Sequence, residues 1–404
     1  MLRAMKSTVF SAFLAAALLC PPAALAADPL PPPSLTIWIN GDKGHQGIRE
    51  IAALFTQNTG VPVSVETPDG APDKFFQAAR AGKGPDVMIW AHDRLGEWAD
   101  AGLLLPVDAD PAFTNRIFPK ALQAFTHRGR LWGYPIAMES PGLIYNKALV
   151  REEDVPASLP DCARLPLPDG CSPILWDYGN TYFTFAFLAA NGATIFPQLP
   201  DGSYDVSRTD VDSPGAVAAL GAIVALIRDG TLPRSLTYSV AEARMNEGRL
   251  AMFVSGPFAW ANLRASGIDF GVTLIPGFGG RPARPFVGVV GAMFNRASPN
   301  LDLAREFLEN YLITPRGLDA MDRCVPLGVP ALRAAADAKA DDPLVAGTLR
   351  NVEVGLLMPN IPRMGRFWSA MESALSAATT LQCPPAEALS SASRLIAPPP
   401  SPQP

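Results

Sequence analysis

The chain has 404 residues, of which 48% are hydrophobic, and it carries a formal net charge of −5. This length and composition allow a large buried core and favour two domains over one. No cluster of Lys and Arg offsets the acidic balance, so the sequence predicts a surface that repels phosphate backbones, and nucleic acid is excluded as a partner.

The first 26 residues have the layout of a cleavable secretory signal peptide. Arg3 and Lys6 precede an apolar stretch, and the small residues Ala24 and Ala26 close the segment. Leucines rather than small residues precede Cys20, which argues against lipidation. No later apolar run is long enough to span a bilayer. We therefore exclude residues 1–26 from the fold and expect the mature protein in the periplasm.

The first elements after the signal alternate between strand and helix. Runs of β-branched and aromatic residues indicate the strands, and apolar residues at helical spacing indicate the helices. The resulting β-α-β-α-β order predicts a parallel sheet with helices on its faces. The predicted elements are, in chain order, LTIWIN, GIREIAALFTQNTG, VPVSVET, DKFFQAARAGKG and PDVMIWA.

Polar residues follow two of these strands directly, in the segments NGDKG and AHDR. Ligands of open parallel sheets bind in the crevice beyond the carboxyl ends of the strands. We therefore expect both segments to lie at the edge of the sheet where a ligand would bind.

The middle of the chain repeats the α/β pattern with less regular spacing. A strand-rich crossing over LWGYPIAMESPGLIYN is followed by several helices, and a strand over PFVGVVGAMFN comes later in the chain. The pattern predicts an α/β fold with two lobes and a chain that crosses between them more than once. The Pro-rich residues 398–404 are predicted to form a disordered tail.

The cysteines that follow the signal form an even set. Thiols in exported proteins tend to be oxidised, so disulfides are favoured over a zinc site, which would want close C-x₂₋₄-C pairs. Cys162 and Cys171 close a short loop rich in Pro and are the favoured pair. That pairing leaves Cys324 to join Cys383.

Three carboxylates fall near predicted strand ends, those of Asp42, Asp93 and Glu139. Paired carboxylates act as acid and base on a glycosidic bond in glycoside hydrolases. The spacing does not show that two of them face one another, so a hydrolase is the less favoured alternative. The histidines form no metal-binding pattern. We therefore predict no catalytic residues, no metal and no cofactor.

Aromatic residues stand next to polar residues at several predicted turns and helix ends. Sugars present CH faces that pack on aromatic rings and hydroxyls that need hydrogen-bond partners, so this mixture suits a neutral carbohydrate. The alternative is that the rings belong to an ordinary core. Their occurrence at several element ends favours a binding site. The residues are Trp90, Tyr182, Phe183, Phe258, Trp260, Phe367 and Trp368.

With these motifs in order, the chain resembles the periplasmic maltose/maltodextrin-binding proteins, the solute-binding components of ABC importers. The resemblance runs from about Leu35 to about Ile396. It implies two α/β lobes joined by hinges near Met138 to Ser140, Val287 to Gly291 and Ala338 to Pro343. The implied lobes are an N-lobe over 27–137 plus 292–337 and a C-lobe over 142–286 plus 344–397. The motifs that carry it are IWINGDKG, GPDVMIWAHDR, YPIAMES, GLIYNK, REFLENYL, MPNIP and FWSAM.

The resemblance also implies a set of ligand-binding side chains. Charged residues would hydrogen-bond sugar hydroxyls, which charged partners do more strongly than neutral ones. Aromatic residues would pack on the sugar rings, with Met358 nearby. The implied residues are Asp42, Lys43, Trp90, Asp93, Arg94, Glu139, Asn180, Tyr182, Phe258 and Trp368.

Four positions of the C-lobe depart from the family pattern. Asn180 stands where the family has Glu, Phe258 where it has Trp, Ser369 where it has Tyr, and Glu372 where it has Arg. Asn180 keeps a hydrogen-bond acceptor but loses the charge, and Phe258 keeps an apolar face but loses an N–H donor.

The function implied by the resemblance is capture of maltose or maltodextrins and their delivery to the permease of an ABC transporter. We expect a monomer that closes on its ligand like a hinge and breaks no bond. The altered C-lobe positions leave open an alternative ligand, such as trehalose or sucrose, in the same transport role.

Overall fold

Three predicted parts of the chain lie outside the residues that the structure describes. They are the signal peptide 1–26, the site residue Asp42 and residues 399–404 of the predicted tail. Within the described segments, no helix is both long and apolar enough to cross a membrane. The computed structural model describes residues 33–41, 43–199, 203–278 and 281–398.

Strands and helices alternate along most of the described chain, as expected of the predicted α/β class. The strands are β1 (Leu35–Ile39), β2 (Val63–Glu66), β3 (Val87–Ala91), β4 (Leu104–Leu105), β5 (Thr126–His127), β6 (Arg130–Leu131), β7 (Tyr134–Glu139), β8 (Gly142–Asn146), β9 (Ser172–Leu175), β10 (Leu250–Ser255), β11 (Phe270–Thr273), β12 (Phe286–Asn295), β13 (Val329–Pro330) and β14 (Leu356–Leu357). The α-helices are α1 (His45–Thr59), α2 (Ala71–Arg80), α3 (Leu95–Asp100), α4 (Pro111–Thr114), α5 (Pro119–Ala124), α6 (Leu159–Ala163), α7 (Thr181–Ala190), α8 (Pro214–Arg228), α9 (Tyr238–Asn246), α10 (Trp260–Ala265), α11 (Leu301–Phe307), α12 (Pro315–Cys324), α13 (Arg333–Asp337), α14 (Pro343–Val354), α15 (Met364–Thr379) and α16 (Pro385–Ile396).

The larger sheet has eight strands, in the order β13-β7-β12-β3-β1-β2, with β4 and β14 also paired to β12. Strand β1 pairs in parallel with both β2 and β3, and α1 and α2 provide the connections. This arrangement confirms the predicted β-α-β-α-β unit. Strand β12 runs antiparallel between β3 and β7.

Helix α1 shows why this part of the chain folds as the pattern predicts. Ile48, Ile51 and Phe55 recur at helical spacing and are buried against the sheet core. Gly60 then adopts φ 76°, a left-handed conformation that favours glycine, and its N–H bonds the carbonyl of Thr56. The helix therefore ends where the chain must turn into β2.

A second sheet of four strands has the order β11-β8-β10-β9. Strand β8 pairs antiparallel with β10 and β11, and β9 pairs in parallel with β10. Helices α7, α8, α15 and α16 contribute buried apolar residues to the core on this side. The two sheets and their helices form the two lobes of the predicted α/β fold.

Within the described residues, the chain passes between the cores of the two lobes at three places. Met138 belongs to the first core and Leu143 to the second, and Phe286 belongs to the second core while Val287 belongs to the first. The last passage from the first core to the second occurs after Val352, which is in the first core. The lobe boundaries given above remain a prediction.

The predicted disulfides are wrong, because Cys162, Cys171, Cys324 and Cys383 are all free thiols. Cys162 is buried in α6, where its Sγ donates to the Pro156 carbonyl at 3.3 Å. Cys324 ends a helix of the first core, whereas Cys383 packs against the second. The spacing of the cysteines along the sequence did not reveal where they lie relative to one another in the fold.

Alkylation without reductant tests the cysteine assignment. We expect all four described cysteines to be modified once the protein is unfolded. In the folded protein Cys162 should react last, because burial raises the pKa of its thiol to about 12 and the thiolate is the reactive form. Peptide mass mapping gives the modified sites. An unmodified pair joined in one disulfide-linked peptide would contradict the structure.

Candidate functional site

A cavity of about 440 Å³ lies between the two lobes. Its walls come from the ends of β1, β3 and β7, from the crossing strand β12, and from α7, α15 and the turn after β10. Volumes of this order are typical of small-molecule sites, which occur preferentially between lobes. The lining residues are Asn40, Lys43, Ile89, Trp90, Ala91, Asp93, Glu139, Tyr182, Phe258, Gly288, Val290, Met358 and Trp368.

The wall formed by the first lobe comes from the segments that follow two parallel strands. Asn40 and Lys43 come after β1, and Trp90 and Asp93 lie at the end of β3 and in the short 3₁₀ helix His92–Arg94. Neighbouring parallel strands end at the same edge of the sheet. The segments NGDKG and AHDR therefore reach one cavity, as the strand order predicts.

Lys43 and Glu139 form an ion pair inside this wall. Lys43 Nζ donates to both carboxylate oxygens of Glu139, at 2.8 and 2.7 Å, and only 19% and 11% of the two side chains are exposed. Lys43 Nζ also lies 5.6 Å from the ring centroid of Phe258, a cation–π contact that reaches across the cavity to the second lobe. Glu139 ends β7, so the pair sits where the chain first crosses between the lobes.

The wall formed by the second lobe is aromatic. Tyr182 belongs to the first turn of α7, Phe258 to the 3₁₀ helix Pro257–Ala259, and Trp368 to α15. The ring of Trp368 packs edge-to-face on Phe286 with centroids 5.2 Å apart, and the ring of Tyr182 stacks on Phe286 at 6.3 Å. The core therefore holds these two half-buried rings in place.

Burial has the largest effect on the pKa of the Asp93 carboxyl. It raises the pKa of this carboxyl to about 6, and the charge of Arg94 and a hydrogen bond from the Trp368 side chain only partly oppose that shift. Arg94 itself does not line the cavity. Its Nε lies 2.8 Å from Glu97 Oε2, and its Nη2 lies 3.3 Å from Asp73 Oδ1.

His92 is fully buried between two of the crossing segments. Its Nδ1 accepts from the Val289 backbone N–H at 3.0 Å, so its Nε2 carries the proton and donates to the Met358 carbonyl at 2.8 Å. Burial lowers the pKa of His92 to about 4, which keeps the imidazole neutral. The side chain thereby ties strand β12 to the segment that carries Met358 into the cavity.

The implied site residue Asn180 and two further departures, Glu372 and Ser369, do not line the cavity. Asn180 caps α7, with its Oδ1 accepting from the Tyr182 N–H at 2.9 Å. It lines a separate depression together with Glu372. Ser369 lines a further depression with Arg366 and has no lining role in the cavity.

Other lining residues were not anticipated, because their contribution comes from distant parts of the chain. Gly288 on β12 leaves room in the floor, since a Cβ there would lie 3.2 Å from the Met358 Cε. Ile89 on β3 and Val290 on the paired strand β12, where it lies opposite Ala91, add apolar surface to the lining. Ile89 lies in the motif GPDVMIWAHDR, and Gly288 and Val290 lie in the implied hinge Val287 to Gly291, but the sequence did not mark any of them as a ligand contact.

The cavity combines aromatic and apolar surface with a few charged groups. Such a lining suits a neutral polyhydroxyl ligand, whose CH faces pack on rings and whose hydroxyls bond the charged groups. The carboxylate of Glu139 is already paired with Lys43. Among the residues that the structure describes, no group of three or more His, Cys, Asp or Glu side chains is arranged to hold a metal ion.

The two-lobed α/β fold and the cleft between the lobes define a solute-binding protein. The sequence profile of the bacterial extracellular solute-binding proteins matches residues 41–317, and the chain belongs to that family.

Curated relatives agree with this assignment at modest identity. A galactooligosaccharide-binding protein of Bacillus subtilis is 26% identical over 377 residues, covering 89% of this chain and 87% of the relative. A maltotriose-binding protein of Pyrococcus abyssi is 28% identical over 312 residues, covering 74% of this chain and 66% of the relative. A maltooligosaccharide ABC transporter solute-binding lipoprotein of Streptococcus pneumoniae is 26% identical over 84% of this chain and 82% of the relative.

The raised pKa of Asp93 predicts how stability depends on pH. Asp93→Asn should raise the free energy of unfolding at pH 7 by roughly 1 to 3 kcal/mol, because the folded state no longer holds a buried carboxylate. This gain should shrink as the pH falls through about 6, where Asp93 takes up a proton in the folded protein. It should be lost below about 4, where the unfolded chain is protonated too.

Urea unfolding at pH 4 and pH 7 measures this difference. Asp269→Asn is the matched control, because 77% of the Asp269 side chain is exposed and its ion pair with Lys147 lies at the surface. Such surface pairs contribute about 0 to 1 kcal/mol. Equal changes in the two variants at both pH values would show that burial of Asp93 has no special effect.

Proposed function

We propose that this protein captures maltose or maltodextrins outside the cytoplasm and delivers them to the permease of an ABC transporter. The observation that carries the proposal is the cleft between the lobes, which four aromatic side chains and three charged groups line together. Two of the relatives are named for maltotriose or maltooligosaccharides, and one of these is the solute-binding lipoprotein of an ABC transporter. The charged groups are Lys43, Asp93 and Glu139, and the aromatic ones Trp90, Tyr182, Phe258 and Trp368.

Capture follows from a difference in affinity between two arrangements of the lobes. A sugar that contacts both walls binds the closed arrangement better than an open one, so it shifts the equilibrium towards closure. The permease then recognises the closed form. The half-buried rings of the second lobe and the charged groups of the first make both walls necessary for full affinity.

The protein acts as a carrier and not as an enzyme in this proposal. The Lys43 ammonium holds the Glu139 carboxylate at 2.7 Å, which suits a fixed hydrogen-bonding partner of sugar hydroxyls better than a mobile acid or base. The proposed location is the periplasm, reached through the signal peptide 1–26, and the proposed working form is a monomer. The names of the relatives favour maltooligosaccharides over trehalose or sucrose.

A galactooligosaccharide is the second candidate ligand. The relative that covers 89% of this chain is named for it. Stacking on aromatic rings does not by itself distinguish glucose from galactose units, which differ in the orientation of one hydroxyl. Discrimination depends on which hydroxyls the charged groups reach.

Isothermal titration calorimetry with maltose tests the proposal, with a β-galactooligosaccharide and trehalose as comparison sugars. Trp90→Ala should weaken maltose binding by about 1 to 3 kcal/mol, because it removes a ring from the cleft. Trp38→Ala is the control, because Trp38 lies outside the cleft and donates to Glu66 at 2.8 Å.

Thermal unfolding checks that both tryptophan variants are folded. The proposed ligand is wrong if the wild type binds trehalose or the galactooligosaccharide but shows no heat with maltose. Release of glucose during incubation with maltotriose would instead identify a hydrolase.

A further inference from the structure

A second cavity, of about 500 Å³, lies between the two lobes and shares one lining residue, Met358, with the cleft. Its walls come from the hairpin β5–β6 of the first lobe, from the segment around Tyr204 in the second lobe, and from the chain that crosses between them at 357–361. Its volume is within the range of about 300 to 1,000 Å³ that is typical of small-molecule sites. Capture of a sugar in the cleft leaves this second cavity without a role.

The turn of the hairpin holds an arginine in a conformation that arginine rarely adopts. His127 pairs with Arg130, so Arg128 and Gly129 form a two-residue turn. Their φ angles are 48° and 72°, both in the left-handed region. Such turns favour Asn-Gly, because a larger side chain at positive φ is strained. Strained residues cluster at ligand sites, and Arg128 lines the second cavity.

Asp100 offsets the positive charge of this wall. Its Oδ2 lies 2.9 Å from Arg128 Nη2, and its Oδ1 lies 2.9 Å from His127 Nε2. When the His127 ring is neutral, the proton is on Nε2 and Nδ1 is an acceptor. A wall that offers donors and an acceptor with little net charge favours a neutral ligand over an anion.

The wall of the second lobe adds the phenol of Tyr204. This side chain is half-buried against the second core. Within the part of the chain that the structure describes, its hydroxyl has no hydrogen-bond partner. Burial raises the pKa of the hydroxyl, so it keeps its proton and can both donate and accept.

The third wall supplies an oriented amide and apolar surface. Asn360 Nδ2 donates to the carbonyls of Ala124 and Thr126, both at 2.8 Å. Both N–H groups of the amide are thereby used, and its Oδ1 is the atom that can accept from a ligand. Leu357 and Ile361 add apolar surface. Apolar lining with a few hydrogen-bonding groups is typical of sites for small polar molecules such as sugars.

We propose that the second cavity is a second binding site, that its ligand is a neutral polyhydroxyl group, and that Arg128, Tyr204 and Asn360 are its hydrogen-bonding residues. The group comes either from a separate small sugar or from a further unit of the chain held in the cleft, since Met358 borders both cavities. The chemistry of recognition is the same for the two sources. The inference goes beyond the proposed function, because it assigns a site that capture of maltose in the cleft does not use.

Calorimetry distinguishes the two sources. Titration of the maltose-saturated protein with glucose detects a separate sugar, and a smaller Kd for maltotetraose than for maltose detects a further unit of the same chain. Tyr204→Phe and Arg128→Gly should each weaken the binding so detected by about fivefold, the effect of losing one hydrogen bond. The Kd of maltose should stay within about twofold of the wild-type value, because neither residue lines the cleft.

Two matched variants control for the loss of a hydroxyl or a guanidinium outside the cavity. Tyr311→Phe removes a hydroxyl that lies 3.4 Å from Asn58 Nδ2. Arg130→Ala removes a guanidinium of the same hairpin that lies 5.8 Å from the ring centroid of Trp132. Both variants should bind all three sugars as the wild type does.

Thermal unfolding separates a ligand-binding role of Arg128 from a structural one. Glycine adopts a φ of 48° without strain, so Arg128→Gly should unfold at the wild-type temperature or above it while its sugar binding is weakened. Tyr204→Phe carries the test alone if Arg128→Gly unfolds at a lower temperature.

The second site is overturned if glucose gives no saturable heat and maltotetraose binds no tighter than maltose. It is also overturned if the binding detected survives both substitutions. If maltose itself does not bind, the proposed function fails separately. Glucose binding that is lost in Tyr204→Phe would then still support the second site, and glucose binding that is retained would overturn it.

Discussion

Strand β12 determines where the cleft lies and what forms its floor. The strand begins with Phe286 in the core of the second lobe and continues between β3 and β7 in the sheet of the first. Gly288 and Val290 face the cavity from it, and the backbone N–H of Val289 is bonded to His92. Because one continuous strand takes part in both lobes, the walls meet at a defined position.

The charged groups of the cleft differ in how far a neighbouring charge offsets the cost of burying them. Lys43 and Glu139 neutralise one another at short distance, which reduces the penalty of burying either group. Burial raises the pKa of the Asp93 carboxyl to about 6, and the charge of Arg94 only partly opposes this shift. The adjacent His92 shows the opposite shift, because burial lowers the pKa of its imidazole to about 4.

These two neighbours influence acid stability in opposite directions. His92 takes up a proton readily only when unfolded, so its contribution to stability is lost as the pH falls from about 6.5 towards 4. Asp93 is more easily protonated when folded, so its contribution to stability grows as the pH falls from about 6 towards 4. The two effects largely cancel in that pH range.

Local patterns were enough to predict the parallel unit and the positions of Lys43, Trp90 and Asp93, since strand order brings the ends of β1 and β3 together. The cap formed by Asn180 also had a local signal, because Asn directly before an apolar helical run is a favoured N-cap residue. Contacts between distant segments had no local signal in the sequence. The free state of the cysteines and the packing of Met358 against Gly288 depend on how the lobes fold together, which spacing along the chain does not reveal.

The contacts around the cleft differ in strength between the crossing segments and the facing walls. Near the crossings, Asn360 Nδ2 donates to the carbonyls of Ala124 and Thr126 at 2.8 Å, and His92 holds Met358. Across the cleft, Lys43 Nζ lies over the face of Phe258, a contact of about 0.5 to 1 kcal/mol at partly exposed sites, and the Trp368 side chain is hydrogen-bonded to Asp93. For the proposed closure, a sugar that contacts both walls adds to these contacts, and it needs only a few kcal/mol of differential affinity to hold the lobes together.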